Sequence, residues 1–282
     1  MGKGKSLVLL SGGLDSVLAA TLLRRCGLDV IGISYTSPFF GSEKAEKAAA
    51  QLDMELIVED ISEEHLEVLK NPRYGFGKNL NPCIDCHALM VRTGLRLLGE
   101  LGADFIATGE VLGERPKSQN RRALDIVASL SGAGEMLLRP LSARLLPPTR
   151  PELDGIIDRE ELLDLQGRSR KRQMRLAAEW EIGRYESPAG GCLLTDANIS
   201  DRLRELMRKW PDFDVCDASL VTLGRHNWSG DTLIVLGRKH EENERLEQLA
   251  LPSDVLLRER GLPGPLALIR AHPKGSRPGE EA

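Results

Sequence analysis

From the N-terminus to about Gly109, apolar runs of strand length alternate with stretches in which apolar residues recur at helical spacing. Leu7-Val8-Leu9-Leu10 is followed by Val17-Leu18-Ala19-Ala20-Thr21-Leu22-Leu23 and then by Val30-Ile31-Gly32-Ile33. This order predicts a strand from Ser6 to Leu10, a helix to Cys26, a stop at Gly27 and a second strand from Asp29 to Ser34, one βαβ unit. The pattern repeats. A helix from about Ser42 to Leu52 leads to a strand over Met54 to Val58, and Ser62-Glu63-Glu64 opens another helix. Ile84 to Leu101 then reads as a helix, and Asp104 to Thr108 as a strand ending at Gly109. Such alternation predicts an α/β fold with a doubly wound parallel sheet and ligands outside the carboxyl ends of its strands. The loop at Ser11, together with Ser34 and Gly109, opens onto that edge.

Between Pro140 and Pro151 the chain is proline-rich and irregular, and helical patterns resume in pieces up to Trp180. A helix from about Ile199 to Trp210 leads into a short unit whose strands are expected at Thr232 to Leu236, Val255 to Leu257 and Leu266 to Ile269. Its Pro-Gly punctuation suggests a small α+β domain. The expected division is therefore 1–199 and 200–282, with a disordered tail after Arg270.

Composition narrows the class. The chain has 282 residues, 41% hydrophobic and 28% charged, which is the make-up of a globular protein with a sizeable core. No apolar run approaches the roughly 20 residues needed to span a bilayer, and Met1-Gly2-Lys3-Gly4-Lys5 leads into a strand instead of a cleavable leader, so a cytoplasmic protein without membrane partners is expected. A net charge of −4 does not advertise nucleic-acid binding, yet it says little about local basic patches. Five cysteines do not suggest a disulfide framework, so a cluster among them points to metal or redox chemistry.

Candidate chemistry begins at Ser11-Gly12-Gly13-Leu14-Asp15-Ser16, where a strand, a glycine turn and a helix N-terminus meet. The unpaired N–H groups and positive dipole end of a helix bind anions, and glycines let the backbone close around them. Ser11 and Ser16 add hydroxyl donors, whereas Asp15 makes sense beside phosphate mainly through Mg²⁺. With only two glycines and no Gly-Lys-Ser/Thr ending, this is not the ordinary P-loop. A plain βα turn using Gly for conformation and Ser as a cap is the structural alternative. The loop resembles the SGGxDS pyrophosphate loop of the ATP pyrophosphatase superfamily, whose members split ATP between the α and β phosphates.

The second constellation is Asn81-Pro82-Cys83-Ile84-Asp85-Cys86, joined by the distant Cys192 in Pro188-Ala189-Gly190-Gly191-Cys192-Leu193. A C-x-x-C pair at a helix start lowers thiol pKa and lets both sulfurs reach one ion. Cys83, Cys86 and Cys192 together fit an iron–sulfur cluster with one iron left open to a non-protein ligand. The alternatives are a partial zinc site completed by His87 or another group, and free or redox-switching thiols. Cys26 and Cys216 read as core residues, and His65, His226 and His272 carry no signal.

Ser11 to Ser16, the stretch Thr108-Gly109-Glu110-Val111-Leu112-Gly113 with Ser118-Gln119, the triplet Arg139-Pro140-Leu141, and Ile182-Gly183-Arg184-Tyr185-Glu186 leading to Cys192 resemble the catalytic domain of tRNA 4-thiouridine synthetases. Asn81-Pro82-Cys83-x-x-Cys86 is similar to the tRNA 2-thiouridylases, and the extra thiolate at Cys83 resembles the cluster-dependent tRNA thiolases. The resemblance implies a HUP-like fold and ATP-dependent tRNA uridine thiolation, with Asp15, Cys83, Cys86 and Cys192 as catalytic residues. ATP is then expected on Ser11, Gly12, Gly13, Asp15, Ser16 and Gly109, with adenine near Ser34 and Tyr35 and Mg²⁺ near Asp15. It further implies a [4Fe-4S] cluster on Cys83, Cys86 and Cys192, or alternatively a persulfide without a cluster. Expected partners are tRNA and a sulfur donor, either sulfide or a cysteine desulfurase or persulfide carrier, and a homodimer is admitted. No THUMP domain is expected before the loop and no rhodanese domain after it.

In the C-terminal unit, Gly237-Arg238-Lys239-His240-Glu241-Glu242-Asn243 with Ala250, Asp254 and Pro263-Gly264 resembles the NFACT-R (DUF814) module, which implies an association with RNA. Arg115, Lys117, Arg121 and Arg122 form a basic stretch suited to RNA, while Arg168, Arg170, Lys171, Arg172 and Arg175 read equally as a solvated helix face. Two rivals to thiolation stand at this level: an adenylating synthetase for a small metabolite, and a non-catalytic nucleotide-sensing RNA adaptor.

Overall fold

A strand with no polar face must have neighbours on both sides, and the first strand of this chain is built that way. The computed structural model describes residues 4–183, 185, 191–259 and 264–272. The chain divides into two units, residues 1–77 with 81–191 and residues 78–80 with 192–282.

In the first unit β1 (Lys5–Leu9) passes through the Ser11 loop into α1 (Leu14–Arg25), and β2 (Asp29–Thr36) follows. Between them Gly27 ends the helix with a φ of 84°, a left-handed conformation that glycine adopts without a Cβ clash. Next come α2 (Glu43–Gln51), β3 (Leu56–Asp60), α3 (Ser62–Lys70), α4 (Cys83–Leu101) and β4 (Phe105–Thr108). The unit continues with α5 (Arg121–Ser131), β5 (Leu137–Leu138), α6 (Arg150–Leu153) and α7 (Lys171–Glu179). Its strands form one parallel sheet in the order β3-β2-β1-β4-β5. Leu7 and Val8 of β1 are fully buried and face opposite sides, so each anchors a separate helix-covered core. Ala19, Leu23 and Ala177 belong to the Val8 side, and Leu89, Val91 and Val127 to the Leu7 side.

The doubly wound parallel sheet is thus the expected one. Its hydrophobic spacing does not anticipate α5 and β5. The helix is signalled by its cap: Asn120 Oδ1 accepts a hydrogen bond from Ala123 N at 3.0 Å, and Ala123, Leu124 and Val127 then point inward. The edge strand β5 has only two residues, too short for a periodicity to be read.

The second unit contains α8 (Ala197–Lys209), α9 (Val215–Leu220), β6 (Arg225–Ser229), β7 (Thr232–Leu236), α10 (His240–Leu249), β8 (Val255–Arg258) and β9 (Leu266–Ala271). Its antiparallel sheet runs β6-β7-β9-β8 over a core that includes Trp210, Phe213, Leu233 and Leu268. The expected strands are present, together with β6, whose polar sequence Arg-His-Asn-Trp-Ser hides it. Arg270 on β9 is buried and bonds Asp217 at 2.9 Å, Asp254 at 2.7 Å and the Leu249 carbonyl at 2.7 Å, which ties the sheet to α9 and to the chain after α10. The ordered chain therefore passes Arg270: β9 runs to Ala271 and His272 Nε2 lies 2.9 Å from Asp212, while the expected tail beyond it is outside the described residues.

One close approach sets the geometry of the sheet edge. A Cβ on Gly109 would stand 2.6 Å from the Asp15 carbonyl group and from Ser16 N, so the end of β4 lies directly on the first turn of α1. Gly109→Ala should therefore cost about 1–3 kcal/mol, because backbone cannot yield as a flexible side chain does. Equilibrium urea unfolding tests this, and an unchanged midpoint would mean that the contact is loose.

Candidate active site at the carboxyl edge of the sheet

Residues 11–16 form a compact turn. Ser16 Oγ donates to Gly13 O at 2.8 Å, Ser11 N donates to Ser16 Oγ at 3.2 Å, and Gly13 N donates to Ser11 Oγ at 3.4 Å. Gly12 takes a φ of 75° and its Cα lies against the backbone carbonyl of Lys44, so any side chain there would collide with backbone. The helix cap is Gly13, which has no side chain to satisfy the first-turn N–H groups of α1. These features together make an anion cradle.

Asp15 sits at the start of α1 among other charged groups. Its Oδ2 accepts a hydrogen bond from Arg170 at 3.1 Å, and Arg170 Nε lies 3.5 Å from Glu114 Oε1, an ion pair without hydrogen-bond geometry. Gln173, which is buried, donates to Glu114 at 3.2 Å. Burial pushes the Asp15 carboxyl above its usual range despite the opposing Arg170 charge, and burial plus the Asp15 charge raise Glu114. Asp15 Oδ1 is buried without a hydrogen-bond partner. An orphaned carboxylate oxygen beside an anion cradle suits a hard cation such as Mg²⁺, so the residues present fit that ion.

Arg170 therefore does not lie on a solvated face, as its basic neighbours suggest. Arg170, Gln173 and Ala177 share one side of α7, and this spacing of i, i+3 and i+7 is the signal that sets Arg170 apart from Lys171, Arg172 and Arg175. Neither Arg170 as a partner of Asp15 nor Glu114 follows from the motifs alone.

Ser34 and Tyr35 stand near the end of β2, both buried. The Tyr35 hydroxyl donates to Met90 O at 2.5 Å, so its ring belongs to the core and only its backbone reaches the edge.

Cys83 and Cys86 are the first and fourth residues of α4. Cys83 is half-buried and its Sγ accepts a hydrogen bond from Asn81 Nδ2 at 3.1 Å, while Cys86 is buried. Asp85 between them accepts bonds from Arg73 N at 3.1 Å and Tyr74 N at 3.0 Å, and so fixes the preceding loop against the helix start. Cys192 is half-buried in the second unit, where its carbonyl accepts from Thr195 Oγ1 at 2.8 Å. No disulfide joins any of the five cysteines. Among the described residues, no three His, Cys, Asp or Glu side chains are grouped so as to hold a metal ion.

Glu110 follows Gly109 and is buried. Its Oε1 lies 2.9 Å from His87 Nδ1, and its Oε2 accepts from Thr108 Oγ1 at 3.1 Å and Arg139 Nε at 2.9 Å. Arg139, also buried, donates in addition to the Leu124 carbonyl at 2.9 Å. Burial alone would raise the Glu110 carboxyl, but the Arg139 charge and the His87 bond outweigh it and hold it down at about 2.

Of the expected RNA contacts, Arg115, Lys117, Arg121 and Arg122 are all exposed, and they flank the buried Ser118-Gln119 turn. Arg121 also donates to the Leu145 carbonyl at 3.1 Å. Arg184, Glu186 and Pro188 to Gly190 of the quoted motifs lie outside the described residues. No described helix is long and apolar enough to cross a membrane.

The Glu110 network predicts an acid limb. A carboxyl at about 2 in the folded chain and 4.5 in the unfolded one stabilises the fold above about pH 4.5, a contribution lost as the pH falls toward 2. The difference amounts to about 3 kcal/mol. Glu110→Gln should flatten that limb and, by leaving Arg139 unbalanced, lower stability at neutral pH by a similar amount. Urea unfolding at a series of pH values measures both effects, and an unaltered acid limb in the variant would remove Glu110 as its source.

Comparisons with known proteins place this arrangement. The sequence model of the ThiI family, thiamine biosynthesis protein, matches residues 1–144. The tRNA-specific 2-thiouridylase MnmA of Pelobacter propionicus is 31% identical over 178 residues, 58% of this chain and 49% of that protein. A probable tRNA sulfurtransferase of Thermococcus kodakarensis is 31% identical over 170 residues, 58% of this chain and 40% of that one. The chain thus spans about half or less of the length of these two relatives. A solved structure of a 4-thiouridine synthetase–RNA complex with bound ATP overlays with a TM-score of 0.41 at 20% identity, covering 64% of this chain and 52% of that chain. With the family match covering residues 1–144 of 282, and with the Ser11 loop, the Gly109 contact and the cysteine pair of α4 all inside it, the chain belongs to the ThiI family.

Proposed function

We propose that the chain is an ATP-dependent tRNA uridine thiolase, and the observation that carries this reading is the pairing of an anion cradle at residues 11–16 with two cysteine thiols at the start of α4 in the same unit. The two relatives named above, a tRNA 2-thiouridylase and a probable tRNA sulfurtransferase, support it. A uracil carbonyl oxygen is a poor leaving group. It is activated when it attacks the α-phosphate of ATP and expels pyrophosphate, and sulfur then displaces the adenylated oxygen as AMP.

In this reading the backbone of Ser11 to Ser16 holds the departing pyrophosphate, the Asp15 carboxylate would hold Mg²⁺, and Arg170 supplies positive charge beside it. Bound Mg²⁺ neutralises charge on the leaving phosphates. Positioning and charge neutralisation are what such a step chiefly needs from a protein. Gly109 keeps β4 against the cradle, and the edge at Ser34 and Tyr35 offers backbone to adenine.

The sulfur step is assigned to Cys83 and Cys86, with Cys192 as the third thiol. A [4Fe-4S] cluster would draw on all three, and persulfide chemistry would use one to carry sulfur and another to resolve the disulfide. Iron and sulfide content of anaerobically prepared protein separates the two. The proposed division of labour gives chemistry to residues 1–199 and an RNA-associated role to residues 200–282, on the NFACT-R likeness.

The decisive experiment is mass spectrometry of tRNA nucleosides from cells with and without the gene, together with tRNA-dependent pyrophosphate release by the purified protein. Loss of a thiouridine in the deletion strain is the expected result. Pyrophosphate release driven by a small metabolite and not by tRNA would replace the reading with that of a metabolite synthetase.

Two further outcomes are expected. Asp15→Asn should lower the rate of pyrophosphate release about 100-fold while changing ATP affinity far less, because an interaction strengthened in the transition state acts on turnover. Equal loss in both would make Asp15 a binding residue only. Removing Arg115, Lys117, Arg121 and Arg122 together should weaken tRNA binding and reduce the slope of log K against log salt by about 3–4, roughly one for each phosphate no longer neutralised. An unchanged slope would place the RNA elsewhere.

A further inference from the structure

The turn that follows β4 carries a carboxylate to which no task has fallen. Glu114 belongs to the same unit as the cradle, and backbone bonds fix its turn on three sides. Glu114 N donates to Val111 O at 3.1 Å, Gly113 N to Gln119 O at 2.7 Å, and Gly167 N to Leu112 O at 2.7 Å. The last of these stitches the turn to the chain just before Arg170. The Glu114 side chain is only 9% exposed and faces Arg170, Gln173 and Asp15. A carboxylate held this way has its position set by backbone, not by the ions around it.

Its neighbours hold Glu114 without completing it. Gln173 donates to Oε2, but Oε1 meets Arg170 Nε at 3.5 Å, outside hydrogen-bond geometry, and that Nε is buried without an acceptor. Arg170 does bond Asp15 Oδ2, while Asp15 Oδ1 is buried without a partner. The Asp15 and Glu114 side chains also lie within hydrogen-bonding reach of each other. Two carboxylates this close repel unless positive charge accompanies both, and the guanidinium between them balances only one. Arg115 acts on both from an exposed position, where solvent screens it. In a purely structural ion-pair network each inward lone pair is met. Here each carboxylate keeps an oxygen that no N–H of a described residue completes.

Mg²⁺ is commonly held by one or two carboxylates together with substrate phosphates. We infer that Glu114 is the second carboxylate ligand, beside Asp15, for a divalent cation taken with the phosphates at residues 11–16. The inference rests on the thiolation reading only in that it needs a nucleotide at the cradle. Arg170 competes with the cation for the same two carboxylates. Gln173, which bonds Glu114, is a positioning residue that keeps this carboxylate in place.

Mn²⁺, used in place of Mg²⁺, makes the site visible by electron paramagnetic resonance, a readout that needs no turnover. With Mn²⁺ alone as the titrant, Glu114→Gln should bind it about 10- to 100-fold more weakly than the wild type, because the charge and number of ligands set affinity at such sites. Arg170→Gln should move the other way, tightening Mn²⁺ about threefold or more, because a competing positive charge has left the two carboxylates. Unchanged affinity in Glu114→Gln, or a weakening in Arg170→Gln as large as in Glu114→Gln, overturns the inference and leaves Glu114 as a holder of Arg170. A wild type that binds no Mn²⁺, alone or with a non-hydrolysable ATP analogue, overturns it as well.

Coordination is read directly by electron–nuclear double resonance on Mn²⁺ bound with that analogue to protein carrying carbon-13 in its glutamate side-chain carboxyls. The wild type should show a coupled carbon, and the signal should vanish in Glu114→Gln. Glu114→Asp, which keeps the charge but not the label, serves if the amide variant does not fold: it should lose the signal and retain part of the affinity. A wild-type spectrum without a coupled glutamate carbon, or one that survives both substitutions, refutes Glu114 as a ligand. Protein that shows the signal and thiolates no tRNA refutes the thiolation reading alone. An active thiolase whose Mn²⁺ site is indifferent to Glu114 refutes this inference alone.

Discussion

A carboxylate buried among apolar side chains is tolerable only when every lone pair it turns inward is met, and Glu110 is that case. One oxygen faces His87 at the start of α4, and the other is shared by Thr108 at the end of β4 and by Arg139 after β5. Arg139 then reaches the Leu124 carbonyl on α5. A single charge therefore fixes four stretches of chain that the sheet alone would leave at the mercy of their loops. The end of β4 is one of them, and Gly109 transmits that fixed position to the first turn of α1.

The cradle itself shows the opposite economy of charge. An anion site needs donors, yet Asp15 places an acceptor inside it. Burial raises Asp15 and Glu114 together, and Arg170 stands between them as the one cation among the described residues that is ion-paired with both. The three groups form a self-contained arrangement with one carboxylate oxygen left over, which is where an added cation changes the balance. Rearrangement among these groups is local, because Arg170 is the cap residue of α7 while Gln173, one turn on, keeps hold of Glu114.

Much of this architecture is legible in the sequence because burial leaves a period. The run Leu7 to Leu10, the helix stop at Gly27 and the alternation up to Thr108 announce a parallel sheet, and Ser11 to Ser16 announce its loaded edge. What escapes has equally physical causes. The strand β5 is too short to carry a period, and β6 is hidden by polar residues on a sheet with one wet face. Arg170 is concealed among neighbours of the same charge, and only its buried companions Gln173 and Ala177 betray its direction. The bond between His87 and Glu110 joins residues on α4 and just after β4, a pairing that no local pattern encodes.

The strand order carries a consequence for how the chain is made. β1 precedes the other strands of its sheet in the chain and is the central one in space, and its two neighbours arrive at different times: β2 begins at Asp29, whereas β4 begins at Phe105. A growing chain can thus close βαβ on one side long before the other edge of β1 has a partner, leaving the row of N–H and C=O groups from Ser6 to Leu9 open. Until β4 docks there is no Gly109 to press on α1 and no Glu110 to turn His87. The cradle at residues 11–16 and the Glu110 network therefore reach their final form in one step, the closing of the sheet, and a half-made chain possesses neither.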